Sequence, residues 1–213
     1  MTNIAVLAAM GMEADRLIRR MEGAQTETIA GQKFLRGRIG GAQVALHVCG
    51  MGMRKADKGA RALIEKYRPD ALVLYGVSGG LVPDIELNET VIAAACSRGG
   101  VHVATDEGLA DFAARVLPEA RKALLSTTRT VTVLKRSKTR IARGNGAVCV
   151  DMESFAAAKT ARELGVPLLV IRSISDTFEP ASLLAFFKNG AIAAEKAAAD
   201  TEAVIKALAE VRP

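Results

Sequence analysis

The chain has 213 residues, half of them hydrophobic, so it can bury a substantial core, yet no window approaches the roughly 18 unbroken apolar residues of a membrane helix. A formal charge of +6 accompanies only 4% aromatic residues and no tryptophan, which argues against a single-strand nucleic-acid binder with its stacking platforms. Three cysteines (Cys49, Cys96, Cys149) without a CxxC spacing, beside two histidines, argue against a zinc site and for buried free thiols in a reducing compartment.

The start, Met1-Thr2-Asn3-Ile4, lacks the basic region of a signal peptide, and a cytoplasmic protein is expected. Asn3 to Ala9 reads as a short buried strand, and Glu13 to Met21, with Leu17, Ile18 and Met21 on one side, as a helix. Lys33 to Ile39 and Gln43 to Cys49 form an expected hairpin around Gly40-Gly41. Gly50-Met51-Gly52 opens a helix that runs to about Tyr67 and stops before Pro69. Strands are expected at Ala71 to Val77 and Thr90 to Cys96, then a helix over Asp106 to Leu117 with Thr105 or Asp106 as its cap. Thr128 to Leu134 alternates like a strand, and Ser137 to Arg143 suits a short helix. Ala147 to Val150 is a strand, Phe155 to Leu164 a helix, Ile171 to Asp176 a strand, and Ala191 to Ala209 a long terminal helix. Nothing splits the chain, so the expected fold is one α/β domain over residues 1–213, a central mixed twisted sheet flanked by helices.

Acids punctuate this pattern. Glu13 follows the first strand, Asp151 and Glu153 follow the Cys149 strand, and Asp176 ends Ile171-Arg172-Ser173-Ile174-Ser175. Strand, helix, strand predicts that the last two groups stand at the carboxyl ends of two parallel strands, the rim where open α/β sheets bind ligands. Gly50-Met51-Gly52 and Gly76-Val77-Ser78-Gly79-Gly80 face the same rim, although neither has Walker or dinucleotide spacing. The dense basic patch Lys135, Arg136, Lys138, Arg140 and Arg143 reads as a solvated helix face or as an attractor of anions.

Ala8-Ala9-Met10-Gly11-Met12-Glu13, Gly50-Met51-Gly52, Gly76 to Gly80, Val150-Asp151-Met152-Glu153 and Ile171 to Asp176 resemble, in order, the motifs of the nucleoside phosphorylase/nucleosidase superfamily. The similarity is closest to methylthioadenosine/S-adenosylhomocysteine nucleosidases and the short hopanoid-associated phosphorylases. The resemblance implies cleavage of the N-glycosidic bond of a purine-type or 5′-substituted nucleoside. Met152 and Glu153 would hold the ribose, Asp176 would protonate the leaving base, and Glu13 would orient the nucleophile. Asp151, Ser175, Ser78 and Gly79 complete the implied substrate-binding set. Burial at a strand end would help Asp176 to keep its proton, and the helix start would keep Glu153 ionised.

The chain also departs from the family pattern. Asp151 replaces the usual Glu, Leu74 and Val77 stand where phosphorylases carry a phosphate-gripping Arg and Ser, and Thr130 to Leu134 lacks the purine-stacking aromatic. The nucleophile is therefore phosphate or water. Gly11, Arg16, Gly52 and Arg54 are the candidates for holding inorganic phosphate as a co-substrate; no metal and no cofactor are implied. The expected partner is a small nucleoside, not nucleic acid, and a homo-oligomer is expected. The rival reading is a non-catalytic nucleoside sensor of the same fold.

Overall fold

The computed structural model describes residues 2–29, 31–179 and 183–211. Among them run β1 (Asn3–Ala8), α1 (Gly11–Arg20), β2 (Glu22–Ile29), β3 (Gln32–Ile39), β4 (Ala42–Val48), α2 (Met53–Tyr67), β5 (Ala71–Gly80) and β6 (Thr90–Arg98). There follow β7 (Val101–Ala104), α3 (Glu107–Val116), β8 (Arg121–Thr127), α4 (Lys135–Asn145), β9 (Cys149–Asp151), α5 (Ser154–Glu163), β10 (Leu168–Asp176) and α6 (Leu183–Val211). The expected mixed sheet flanked by helices is present.

Successive residues of a strand point to opposite faces, and both faces are covered here. Ile4, Val6 and Ala8 of β1 join Leu17 of α1, Ala113 of α3 and Ile205 of α6 in one core. Ala5 and Leu7 join Ala60 and Leu63 of α2 and Ala157 of α5 in the other. This double burial is why β1, β5 and β10 read as unbroken apolar runs.

The sheet closes on itself. From β10 the pairing runs through β6, β8 and β9 to β5, and β5 pairs back with β10, while β1, β4, β3 and β2 extend beyond β5 as a wing. Within that ring β10 is parallel to β5, but β9 meets β5 antiparallel through Gly79 and Gly80. The strands that deliver Asp151 and Asp176 are therefore antiparallel, against the parallel arrangement that the strand-helix-strand pattern predicts. Closure of the ring, rather than a shared strand direction, brings their ends together.

Thr128 to Leu134 is not a strand. The strand is β8, just before it, and both edges of β8 are already occupied by β6 and β9. The alternating segment finds no free edge on β8 beside it, and Val131, Val133 and Leu134 are exposed. β2 escapes sequence patterning because it is a polar edge strand, Glu22 to Ile29, paired only with β3. β7 is a short strand that pairs with β6 alone and buries only Val103.

Candidate active site

Gly79 lies where three strands meet, opposite Val150 of β9 and opposite Asp176 of β10. The β10 register slips between Ile174 and Asp176. Such a bulge re-aims a side chain, and here it sets the Asp176 carboxylate over Gly79. A Cβ on Gly79 would stand 3.1 Å from both carboxylate oxygens.

Beside this junction is a cavity of about 340 Å³ lined by Glu13, Ser78, Gly79, Asp151, Met152, Glu153, Ser175 and Asp176, together with Met10, Met51 and the Thr128–Thr132 segment. The implied catalytic and substrate-binding residues, remote in sequence, thus line one cavity.

Glu13 is held by backbone. Its Oε2 accepts from the N–H groups of Ala9 at 3.0 Å and Met10 at 2.8 Å, and its Oε1 accepts from Val77 N–H at 2.9 Å. The Tyr75 hydroxyl donates to the Glu13 carbonyl at 2.9 Å. Burial raises the Glu13 pKa, opposed by Arg172 and by these three N–H donors. A carboxylate has about four acceptor sites, so Oε1 keeps one for a ligand.

Asp151 is saturated by its own neighbours. Its Oδ1 accepts from Thr127 Oγ1 at 2.7 Å, and its Oδ2 accepts from Ser154 Oγ and from Arg172 Nη2, both at 2.5 Å. These contacts tie Asp151 to β8, α5 and β10 while it lines the cavity.

Glu153 spans the gap between α2 and α5. Its Oε1 accepts from Gly52 N–H at 2.6 Å, and its Oε2 lies 3.8 Å from Arg172 Nη2. The start of α5 does not keep it fully ionised as expected. Burial first, then the neighbouring Asp151 charge, lift its pKa to about 7 against Arg172 and the Gly52 N–H.

Asp176 also departs from expectation. It is not a lone buried acid, because Lys138 Nζ of α4 lies 2.5 Å from its Oδ2. Ser175 Oγ lies 3.0 Å from Asp176 Oδ1 and 3.2 Å from the Ser78 carbonyl, and its one proton serves one of them.

Arg172 was quoted within a motif without a role. It is fully buried. Burial alone would lower its pKa, but Asp151, Glu153 and Glu13 override that and hold it charged. A charge in the middle of an apolar strand must be paired, and that was the available signal. Lys138 gave none, since its neighbours disguise it as part of a solvated basic face.

The phosphate candidates do not converge. Arg16 pairs with Glu195 and Glu202 on the outer side of α1, the Gly52 N–H is taken by Glu153, and Gly11 is not among the cavity's lining residues. Arg54 lines a separate basic cleft of about 860 Å³ with Lys55, Arg98 and Arg129, and Met51 is the described residue that lines both the cleft and the cavity. The thiols stay protonated, since burial lifts Cys49 and Cys149 to about 12.

The family model described as the Phosphorylase superfamily matches residues 3–206. The chain belongs to this superfamily. Among its members, the 5′-methylthioadenosine/S-adenosylhomocysteine nucleosidase of Shewanella piezotolerans is 29% identical over 206 residues, covering 86% of this chain and 90% of that one. The enzyme of the same name from Chromohalobacter salexigens is 27% identical and covers 98% of both chains. Among solved structures, the Neisseria meningitidis nucleosidase in complex with methylthio-immucillin-A superposes with a TM-score of 0.92 at 21% identity, over 97% of this chain and 100% of that one. A futalosine hydrolase mutant from Helicobacter pylori superposes with 0.90 at 18%, over 96% and 99%. The superfamily fold and the similarity to nucleosidases agree with the motif reading.

Two outcomes follow from this geometry. Gly76 has φ +146°, and a Cβ there would collide with the Glu13 carboxylate and come within 2.7 Å of Arg172 Nη1. Gly76→Ala should cost about 1–3 kcal/mol in urea unfolding and displace Glu13. A stability equal to wild type would refute the contact. Glu153 has a higher pKa folded (about 7) than its ordinary 4.5, so the native state binds more protons between these values. Its contribution to stability is therefore full below about 4.5, declines as pH rises to about 7, and is flat above. Glu153→Gln should remove that slope from urea midpoints measured against pH; an unchanged slope would contradict the assignment.

Proposed function

We propose that the protein is a nucleosidase that hydrolyses the N-glycosidic bond of a purine-type nucleoside carrying a 5′ substituent. The observation that carries this reading is the convergence of Glu13, Glu153 and Asp176 on one nucleoside-sized cavity. Breaking the bond makes the sugar cationic and leaves an electron pair on the base. Asp176 supplies the proton to the base, and Glu153, in its ionised form, accepts hydrogen bonds from the ribose hydroxyls beside the Met152 side chain. Glu13, with one acceptor site spare, orients the attacking water.

Water is favoured over phosphate because Arg16 and the Gly52 N–H are engaged elsewhere and Arg54 lies in the neighbouring cleft. Thr128, Thr130, Val131 and Thr132 line this side of the cavity, so here the base meets hydroxyls and apolar carbon. The 5′ group leaves toward Met51, where the cavity adjoins that cleft.

The same reading makes the chain a single domain, since one sheet runs from β1 to β10. It makes the protein cytoplasmic, in keeping with three free thiols. A homo-oligomer is supported by exposed Met12, Met51 and Val131 around the cavity.

The test is a nucleoside panel that includes 5′-methylthioadenosine and bulkier 5′-substituted adenosines, with and without phosphate. Free base and free sugar should appear without phosphate. Asp176→Asn should lose about 10²–10⁴-fold in turnover while retaining ligand. Strict phosphate dependence would replace hydrolysis by phosphorolysis. Binding without turnover in any member would favour the sensor.

A further inference from the structure

Four of the eleven residues of α4 besides Lys138 are Lys or Arg, and a basic helix ordinarily keeps its charges in water. Lys138 does the opposite. It is 1% exposed and is the buried residue of α4. Its Nζ lies 2.5 Å from Asp176 Oδ2 and 2.5 Å from the Thr177 carbonyl oxygen. An ammonium is withdrawn from water only where something pairs it, and what pairs it here is the carboxylate at the base end of the cavity.

Asp176 has few other partners. Ser175 Oγ stands at its Oδ1, and Gly79 of β5 lies beneath it with no side chain. The other charged groups nearby are committed: Arg172 of β10 to Asp151, and Lys135 of α4 to Glu179 at 2.5 Å on the exposed side. Across the cavity, Asp151 and Glu153 at the start of α5 and Glu13 of α1 are carboxylates. Lys138 is the cation in direct contact with Asp176.

We infer that Lys138 is a positioning residue of the reaction: its ion pair occupies Asp176 Oδ2, leaves Oδ1 to meet the base, and sets the pH range over which Asp176 carries the proton that the base requires. The inference rests on the nucleosidase reading. In the chemical step the C1′–N bond breaks with its electron pair going to the base, and the Asp176 proton passes to the base nitrogen. The product carboxylate then faces the ammonium, which stabilises it. The same ammonium opposes re-protonation of Asp176 from water before the next turnover. Lys138 thus favours proton donation and restricts reloading as pH rises.

The test compares wild type with Lys138→Met and Lys138→Arg. The ¹³C shift of the Asp176 carboxyl is followed against pH, and kcat/KM for 5′-methylthioadenosine is measured over the same range. In wild type and K138R the carboxyl titration and the fall in activity with rising pH should share one interval. In K138M both the carboxyl titration and the alkaline fall in activity should move up together by about one pH unit or more. Identical carboxyl titrations in wild type and K138M would overturn the inference. So would an even loss of activity at every pH, which marks a merely structural lysine. A wild type that releases no base counts against the nucleosidase reading, while the carboxyl titration still decides the ion pair. If K138M does not fold, Lys138→Gln makes the same comparison. Failure of both neutral variants beside a sound K138R would assign Lys138 to stability alone and overturn the inference.

Discussion

A guanidinium shut off from solvent organises this molecule. Arg172 sits in β10, a strand whose every residue is buried, and its Nη2 reaches Asp151 Oδ2 at 2.5 Å and Glu153 Oε2 at 3.8 Å. Glu13 is the third carboxylate whose charge it feels. Three acids cannot be gathered in a dry interior without a cation, because desolvation and mutual repulsion would neutralise them. Arg172 makes the gathering tolerable, and backbone N–H donors from Ala9, Met10, Val77 and Gly52 complete it. The candidate active site is the exposed side of this buried charge cluster.

The sheet supplies the geometry. β5 is central: β1 flanks its early residues, β10 runs beside it throughout, and β9 crosses its last two glycines. Side chains at Gly76 or Gly79 would stand where Glu13, Arg172 and Asp176 now lie. Gly76 is therefore a spatial necessity, and a Cβ at Gly79 would crowd Asp176. At both positions the room is taken by carboxylates rather than left for an anion.

Much of this was legible in the amino-acid order, and the misses have physical causes. Alternation and apolar runs located β1, β5 and β10, since both faces of those strands are buried, and the ordered motifs located Glu13, Glu153 and Asp176. The antiparallel approach of β9 was hidden, because local pattern carries no strand direction. Thr128 to Leu134 has strand periodicity, yet adjoining β8 has no free edge for it. β2 and β7 are largely exposed, so they lack the apolar signature that patterning needs. The charge states depend on who faces whom: Arg172 beside Asp151 and Lys138 beside Asp176 are contacts across 21 and 38 residues. Such contacts are invisible to spacing, although a lone arginine inside an apolar strand announces that a partner exists.

Arg172 holds the carboxylate cluster together by charge. Urea unfolding of Arg172→Met against wild type, at neutral and at acidic pH, measures this most directly. Removing one partner of a buried ion pair typically costs about 3–5 kcal/mol. The account predicts a loss of that order at neutral pH, shrinking in acid as Asp151, Glu153 and Glu13 take up protons and no longer need a cation. A loss below about 1 kcal/mol, or one that does not change with pH, would contradict it.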